Sequence, residues 1–258
     1  MTTTAAKYSH ITVVIMENYS YEQIIGNSAA PYTNKLANAN ALFTNSHAVT
    51  HPSQPNYLAL FSGSTLGVTS DVCPLSFSNA NLSTELKAHG LSFQGYAENW
   101  PSSGNPCYGT AASVTSKYLY WRKHMPWTDF TNVAYRTYGH LYSGPGTALS
   151  GNVNFVVPNI CDDMHDCSIA TADAWLSRNI PSIQTYDSTH NGLLIVTFDE
   201  GEYSSTNHIV TIMSGPGVKM GKYSQTINHY NVLRLIESNF GLPLLGYSSS
   251  ATPISGIP

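Results

Sequence analysis

Five short apolar runs, each breaking off into polar or acidic residues, limit what this chain can fold into. His10–Met16 stops at Glu17 and Asn18, and Leu91–Tyr96 is followed by Ala97, Glu98 and Asn99. Asn154–Val157 leads into Pro158 and Asn159, Leu193–Phe198 ends at Asp199 and Glu200, and His208–Met213 follows soon after. The first run is rich in β-branched residues, and the nearly continuous apolarity of the runs suits strands covered on both faces. Helical patterns stand between them over Tyr32–Ala41, Tyr57–Ser62, Ser83–His89 and Thr171–Leu176. A further one, Asn228–Phe240, carries Val232, Leu233, Leu235, Ile236 and Phe240 as an apolar stripe and stops at Gly241 with Pro243 beyond. Strands alternating with helices predict an α/β fold with a mainly parallel sheet. Pro101–Gly151, rich in Ser, Gly, Tyr and Trp, reads as a loop-rich excursion. With no repeat and no linker, the expectation is one domain over residues 1–258.

Charge excludes some functions. Charged residues make up 10% of the chain, against ~25% in ordinary soluble domains, and 11 Lys+Arg against 15 Asp+Glu give a net charge of −4. No basic run exists, so the chain is not expected to bind nucleic acid, and no apolar stretch has the length of a transmembrane helix. The four cysteines permit three pairings; Cys161 and Cys167 would close a tight loop, and Cys73 and Cys107 a longer one. Zinc is the competing use, but no CxxC spacing occurs, so disulfides and a secreted or periplasmic location are expected. Residues 1–6 have neither the charged nor the apolar region of a signal peptide, as expected if one has been removed.

In such a sheet, reactive groups gather beyond the carboxyl ends of the strands. Glu17 and Asn18, Asp163 and His165, and Asp199 and Glu200 fall there, with His208 at the next strand's start and Thr50–Ser53 nearby. A carboxylate at a strand end is ordinarily a turn former. Two adjacent acids after a buried strand, however, need a cation or donors, and this set of oxygen and nitrogen atoms suits a divalent cation. Ser53, just ahead of a short apolar helix, sits where helix amides favour an anion; alone it would read as an N-cap.

Ser53-Gln-Pro-Asn-Tyr, with Ser62 and Gly63 after it, resembles the nucleophile helix of the alkaline phosphatase superfamily. Val13–Tyr21, with Glu17, Asn18 and Ser20, is similar to the opening signature of the phosphoesterase family that holds bacterial phospholipases C and secreted acid phosphatases. Phe198-Asp199-Glu200-Gly201 matches a further motif of that family, in family order, and the short length resembles its small secreted acid phosphatases. The resemblance implies an alkaline-phosphatase-like three-layer sandwich and a secreted, metal-dependent hydrolase of phosphate monoesters working through a phosphoserine on Ser53. Glu17, Asn18, Ser53, Asp199 and Glu200 would hold the metal (Ca, Mg, Mn or Zn), and Asn56, Asn18, Asp163 and His124 would contact substrate. Met125 departs from the family's step at His124, and a structural role for that histidine stays open. A second metal near Asp163, His165 and His208 also stays open, and either His165 or His208 would protonate the leaving group.

Substrates would be small phosphorylated molecules, extending to phosphoinositides or other phospholipid headgroups. The alternative is a phospholipase C-type phosphodiesterase, with Tyr118, Tyr120, Trp121, Trp127 and Tyr135 lining a lipid or sugar pocket. A non-catalytic carbohydrate-binding module would leave the acidic pairs without a purpose. A sulfatase would need Arg where Tyr57 stands.

Overall fold

A computed structural model describes residues 7–108, 118–201 and 204–258; the reading of residues 1–6 and part of the excursion lie outside them. The centre is a nine-stranded sheet built from β1 (His10–Met16), β2 (Ala41–His47), β3 (Phe93–Ala97), β4 (Gly139–Leu141), β5 (Val153–Val157), β6 (Gly192–Phe198), β7 (His208–Ser214), β8 (Gly221–Tyr223) and β9 (Ile227–Asn228). Their order is β4-β3-β5-β1-β6-β7-β2-β8, with β9 also on β2. All pairings are parallel except those of β7, which runs against both neighbours. The short β6–β7 connection leaves no room for a crossover, so the chain must reverse.

Helices α1 (Tyr21–Ile24), α2 (Pro31–Ala39), α3 (Ser53–Ser62), α4 (Leu82–Ala88), α5 (Tyr135–Tyr138), α6 (Ile169–Thr189) and α7 (His229–Phe240) complete the layers. Alternation along the strands feeds two cores. Ile11, Val13, Ile15, Leu193 and Ile195 pack with Leu58 and Phe61 of α3, Leu86 of α4 and Leu233 and Ile236 of α7. Val14, Met16, Val196 and Phe198 pack with Leu36 of α2 and Trp175, Leu176 and Ile180 of α6 on the other face. The three-layer α/β sandwich is therefore as expected.

Strands β2, β8 and β9 and helix α1 depart from the sequence reading, and helix α6 is longer than expected. β2 was not foreseen, because only Ala41, Leu42 and Phe43 of it are buried apolar residues, and its register shifts between Phe43 and Ser46. Helix α6 extends well past Leu176 and runs through Pro181. Buried Leu176, Ile180 and Ile183 on both sides of the proline hold it to the sheet and offset the lost hydrogen bond. The excursion is more ordered than expected: it supplies α5, edge strand β4 and two 3₁₀ turns, Arg122–His124 and Pro126–Thr128. Both disulfides form, Cys73–Cys107 and Cys161–Cys167. Among the described residues no helix is long and apolar enough to cross a membrane.

Helix α3, all ten residues of which are buried, ends at Gly63 in the left-handed region, φ 72°. A Cβ there would overlap the Leu245 carbonyl, so the helix and the C-terminal segment are locked together. Gly63→Ala is expected to lower stability by about 3 kcal/mol and the melting midpoint by about 10 °C, measured by thermal denaturation. A shift of a degree or two would show that this joint yields.

Candidate active site

Strands β1 and β6 are parallel neighbours with Met16 paired to Phe198, so the residues that follow them, Glu17 and Asp199, emerge side by side. Backbone bonds fix the junction: Asp199 N donates to Met16 O (2.9 Å), and Glu17 N donates to Asp163 O (2.8 Å) in the loop after β5. Asn18, with φ 65°, turns its amide onto Asp199 Oδ1 at 3.1 Å. Three acidic segments far apart in sequence thereby meet at one end of the sheet.

Helix α3 begins at the same place. Ser53 Oγ lies 3.1 Å from Glu17 Oε2 and 3.0 Å from Glu200 Oε1. One hydroxyl proton cannot serve two carboxylates, so one of these oxygens needs another positive partner. Four residues on, Tyr57 shares the helix face with Ser53, and its hydroxyl donates to Glu17 Oε1. The Tyr57 ring stacks on His124 (centroids 5.2 Å apart), which the first 3₁₀ turn brings in. Arg122 anchors that turn through Asp129 (3.0 Å) and the Leu75 and Thr128 carbonyls.

The cluster is buried and overcharged. Ser53, Glu17, Asp163, Asp199 and Glu200 are each at most 3% exposed. Burial, then the charge of Asp163, pushes the Glu17 carboxyl well above its usual range. Burial pushes Asp163 and Asp199 the same way, reinforced at Asp199 by Glu17 and Glu200. Burial, then the Lys123 ammonium, holds both His124 and His165 below the ordinary imidazole value. Among the described residues, Asp163 Oδ2 and Asp199 Oδ2 have no hydrogen-bond partner, and His124 Nε2, 3.2 Å from Glu17 Oε1, is not aligned to bond it. Buried oxygens without donors, crowded against like charges, fit a divalent cation. Glu17, His124 and His165 also offer ligand atoms lying within 4.8 Å of one another, where a cation of mixed oxygen and nitrogen coordination fits.

Of the residues singled out in the sequence, Glu17, Asn18, Ser53, His124, Asp163, His165, Asp199 and Glu200 come together, and two do not. His208 bonds Glu22 Oε1 (2.6 Å) and the Thr44 carbonyl (3.2 Å) through its two ring nitrogens and stacks on Tyr21. It is corrected to a structural residue docking α1 on β7, because both of its ring nitrogens are committed to those partners. Asn56 is also corrected. Its Oδ1 accepts from Val49 N and Thr50 N, and its Nδ2 donates to Thr50 O and Pro52 O, so the loop before Ser53 consumes its whole capacity. Tyr120 and Trp127 are buried core residues rather than pocket walls, whereas Tyr135, packed against that core, lines an open cavity with Leu75, Val133 and Arg136.

Sequence reading missed four neighbours. Tyr57 was legible from its spacing to Ser53. His51 Nδ1 pairs with Glu200 Oε2, having been noticed only as part of its segment. Lys123 pairs with Asp71 at the rim. His229 Nε2 bonds the Asp199 carbonyl (2.7 Å), and burial drops that ring's pKa to about 4.

Known proteins show the chain's family and fold. The chain is 42% identical over 257 residues to the phosphatidylinositol-3-phosphatase of Mycobacterium tuberculosis, covering 97% of this chain and 83% of that one. It is 30% identical over 252 residues to an acid phosphatase of Aspergillus fumigatus, covering 90% of this chain but 55% of the fungal protein. The chain thus spans about half the length of that fungal relative. A crystal structure of an alkaline phosphatase superfamily protein from Vibrio parahaemolyticus superposes with a TM-score of 0.63 at 12% identity, covering 98% of this chain and 72% of that one, which shows the shared fold. The match to the Phosphoesterase family itself runs over residues 26–243, and the chain belongs to that family.

Proposed function

We propose that this chain, as one domain over residues 1–258, is a metal-dependent phosphatase that hydrolyses phosphate monoesters through a phosphoserine on Ser53. The observation that carries this reading is Ser53 Oγ, at the start of α3, within 3.1 Å of carboxylates from two different strand ends. Glu17, Asn18, Ser53, Asp199 and Glu200 would hold the cation. When bound, it supplies positive charge that favours the Ser53 alkoxide and stabilises charge developing on the phosphoryl oxygens.

The protein's own groups do the rest. Glu17 and Glu200 are placed to take the Ser53 proton as its oxygen attacks phosphorus and the bond to the leaving alcohol breaks. The amino end of α3 faces the phosphoryl charge. His165, partly exposed at the edge of the cluster and paired with Asp166, is the histidine that would give the alcohol its proton, a role that passes from His208 to it alone. His124 is deeper, stacked on Tyr57, with Glu17 and Asp163 on its two sides at 3.2 and 3.7 Å. Water then cleaves the phosphoserine, and free phosphate leaves.

The names of the mycobacterial and fungal relatives both describe removal of phosphate, which favours a monoesterase over the phospholipase C alternative. Small phosphorylated molecules and phosphoinositide or other phospholipid headgroups are the proposed substrates. The two disulfides support a secreted or periplasmic site of action. Purified protein supplied with Mg²⁺, Ca²⁺, Mn²⁺ or Zn²⁺ should release inorganic phosphate from an aryl phosphate and from phosphatidylinositol 3-phosphate vesicles, without releasing diacylglycerol. Diacylglycerol release would make it a phosphodiesterase, and no release of either kind would end the hydrolase reading.

A further inference from the structure

We propose that Lys123 is a phosphate-binding residue of this site, held in reserve on Asp71 and transferred to the incoming phosphoryl group. The inference rests on the phosphatase reading and names a residue beyond it. Lys123 Nζ lies 2.6 Å from Asp71 Oδ2 and 3.4 Å from His165 Nε2, above the Trp121 ring at 4.7 Å. The reacting carboxylates and Ser53 are deeply buried, whereas the side chains of Asp71 and His165 keep 30% and 17% of their surface and that of Lys123 keeps 11%. Solvent therefore reaches the cluster along the edge where Lys123 sits. The neighbouring Arg122 does not compete for this role, since its guanidinium is committed to Asp129 and backbone carbonyls.

The contact with Asp71 has the properties of a latch. Asp71 Oδ1 accepts from Gln54 N at 3.0 Å, so the carboxylate is fixed to the first turn of the helix that carries Ser53. Asp71 keeps enough solvent exposure that its pairing with Lys123 is readily exchanged. An ammonium has three donors, and Asp71 and the long contact to His165 use at most two. A phosphate dianion offers more charge and more acceptor oxygens than one carboxylate, so it draws the ammonium off Asp71. The Trp121 face supports the ammonium from below, and the edge-on contact of Trp121 with His165 (5.0 Å) keeps that floor beside the proton donor.

Calorimetric titration of inorganic phosphate into the cation-loaded protein tests this without turnover. Lys123→Gln should weaken phosphate binding by about tenfold or more, and Lys123→Arg should recover most of that loss. Asp71→Asn should tighten binding by about threefold, and this gain should vanish in the Lys123→Gln background. In kinetics, Lys123→Gln should raise KM more than it lowers kcat. Phosphate binding within twofold of wild type in Lys123→Gln would overturn the proposal. So would an Asp71→Asn gain of equal size with and without Lys123, which would make Asp71 a simple repelling charge. An Asp71→Asn loss parallel to that of Lys123→Gln would equally overturn it, leaving a structural ion pair. If wild-type protein binds phosphate through Lys123 but hydrolyses nothing, the phosphatase reading fails and this assignment stands.

Discussion

Ser53→Ala is expected to lose turnover of an aryl phosphate by about four orders of magnitude or more, because no other hydroxyl can take over the covalent step. The variant should keep its fold. Ser53 Oγ contributes hydrogen bonding to Glu17 and Glu200 and no packing core, so the melting midpoint should move by less than about 5 °C. Acid-quenched wild-type protein incubated with labelled substrate should carry label on residue 53, and the alanine variant should carry none. Turnover within tenfold of wild type in Ser53→Ala would remove the phosphoserine, and label at another residue would move it.

Asp199→Asn is expected to separate metal binding from folding. The carboxyl of Asp199 is pushed up by burial and by its neighbours Glu17 and Glu200, so the metal-free fold carries mutual repulsion at this point. Asparagine keeps the oxygen that accepts from Asn18 N and removes the charge. Chelator-treated Asp199→Asn should therefore melt above chelator-treated wild type. Adding divalent cation at about 100 times its dissociation constant should stabilise wild type by about 2.7 kcal/mol, a rise of about 5–10 °C, and should leave the variant unmoved and inactive. The same charges set a pH dependence in the metal-free wild type. Glu17, Asp163 and Asp199 have folded pKa values above their unfolded ones, so the folded state binds more protons, and stability falls as pH rises above about 4, the ordinary carboxylate value. Loss of that slope on adding cation, read from melts across acid and neutral pH, is the matching observation. A wild type whose melting ignores every divalent cation would remove the metal from the mechanism.

The strand ends were legible because buried strands must be apolar and whatever follows them is free to be polar. Glu17, Asp163, Asp199 and Glu200 stand out for that reason, and Ser53 stands out by the Pro and Asn after it. The histidines were not legible in this way. His165 and His208 each flank a strand, but the loop carrying His165 folds back against His124 and Lys123, whereas His208 turns its ring nitrogens to Glu22 and the Thr44 carbonyl. Asn56 misled for a related cause: local sequence shows an amide near the nucleophile, and only folded coordinates show that residues 49–52 have already used its donors and acceptors.

The amino-acid order by itself determined the α/β class and the acidic residues at the strand ends, since each follows from local patterning, and its motifs singled out Ser53 through their resemblance to a family. Tertiary structure alone decided that His124 and His165 rather than His208 lie beside Glu17, that Tyr57 bonds Glu17, and that Lys123 pairs with Asp71. Those facts depend on which strands are neighbours and which turn of the excursion folds back. Adjacency of that kind is set by packing two cores around one sheet, and no local stretch of chain encodes it.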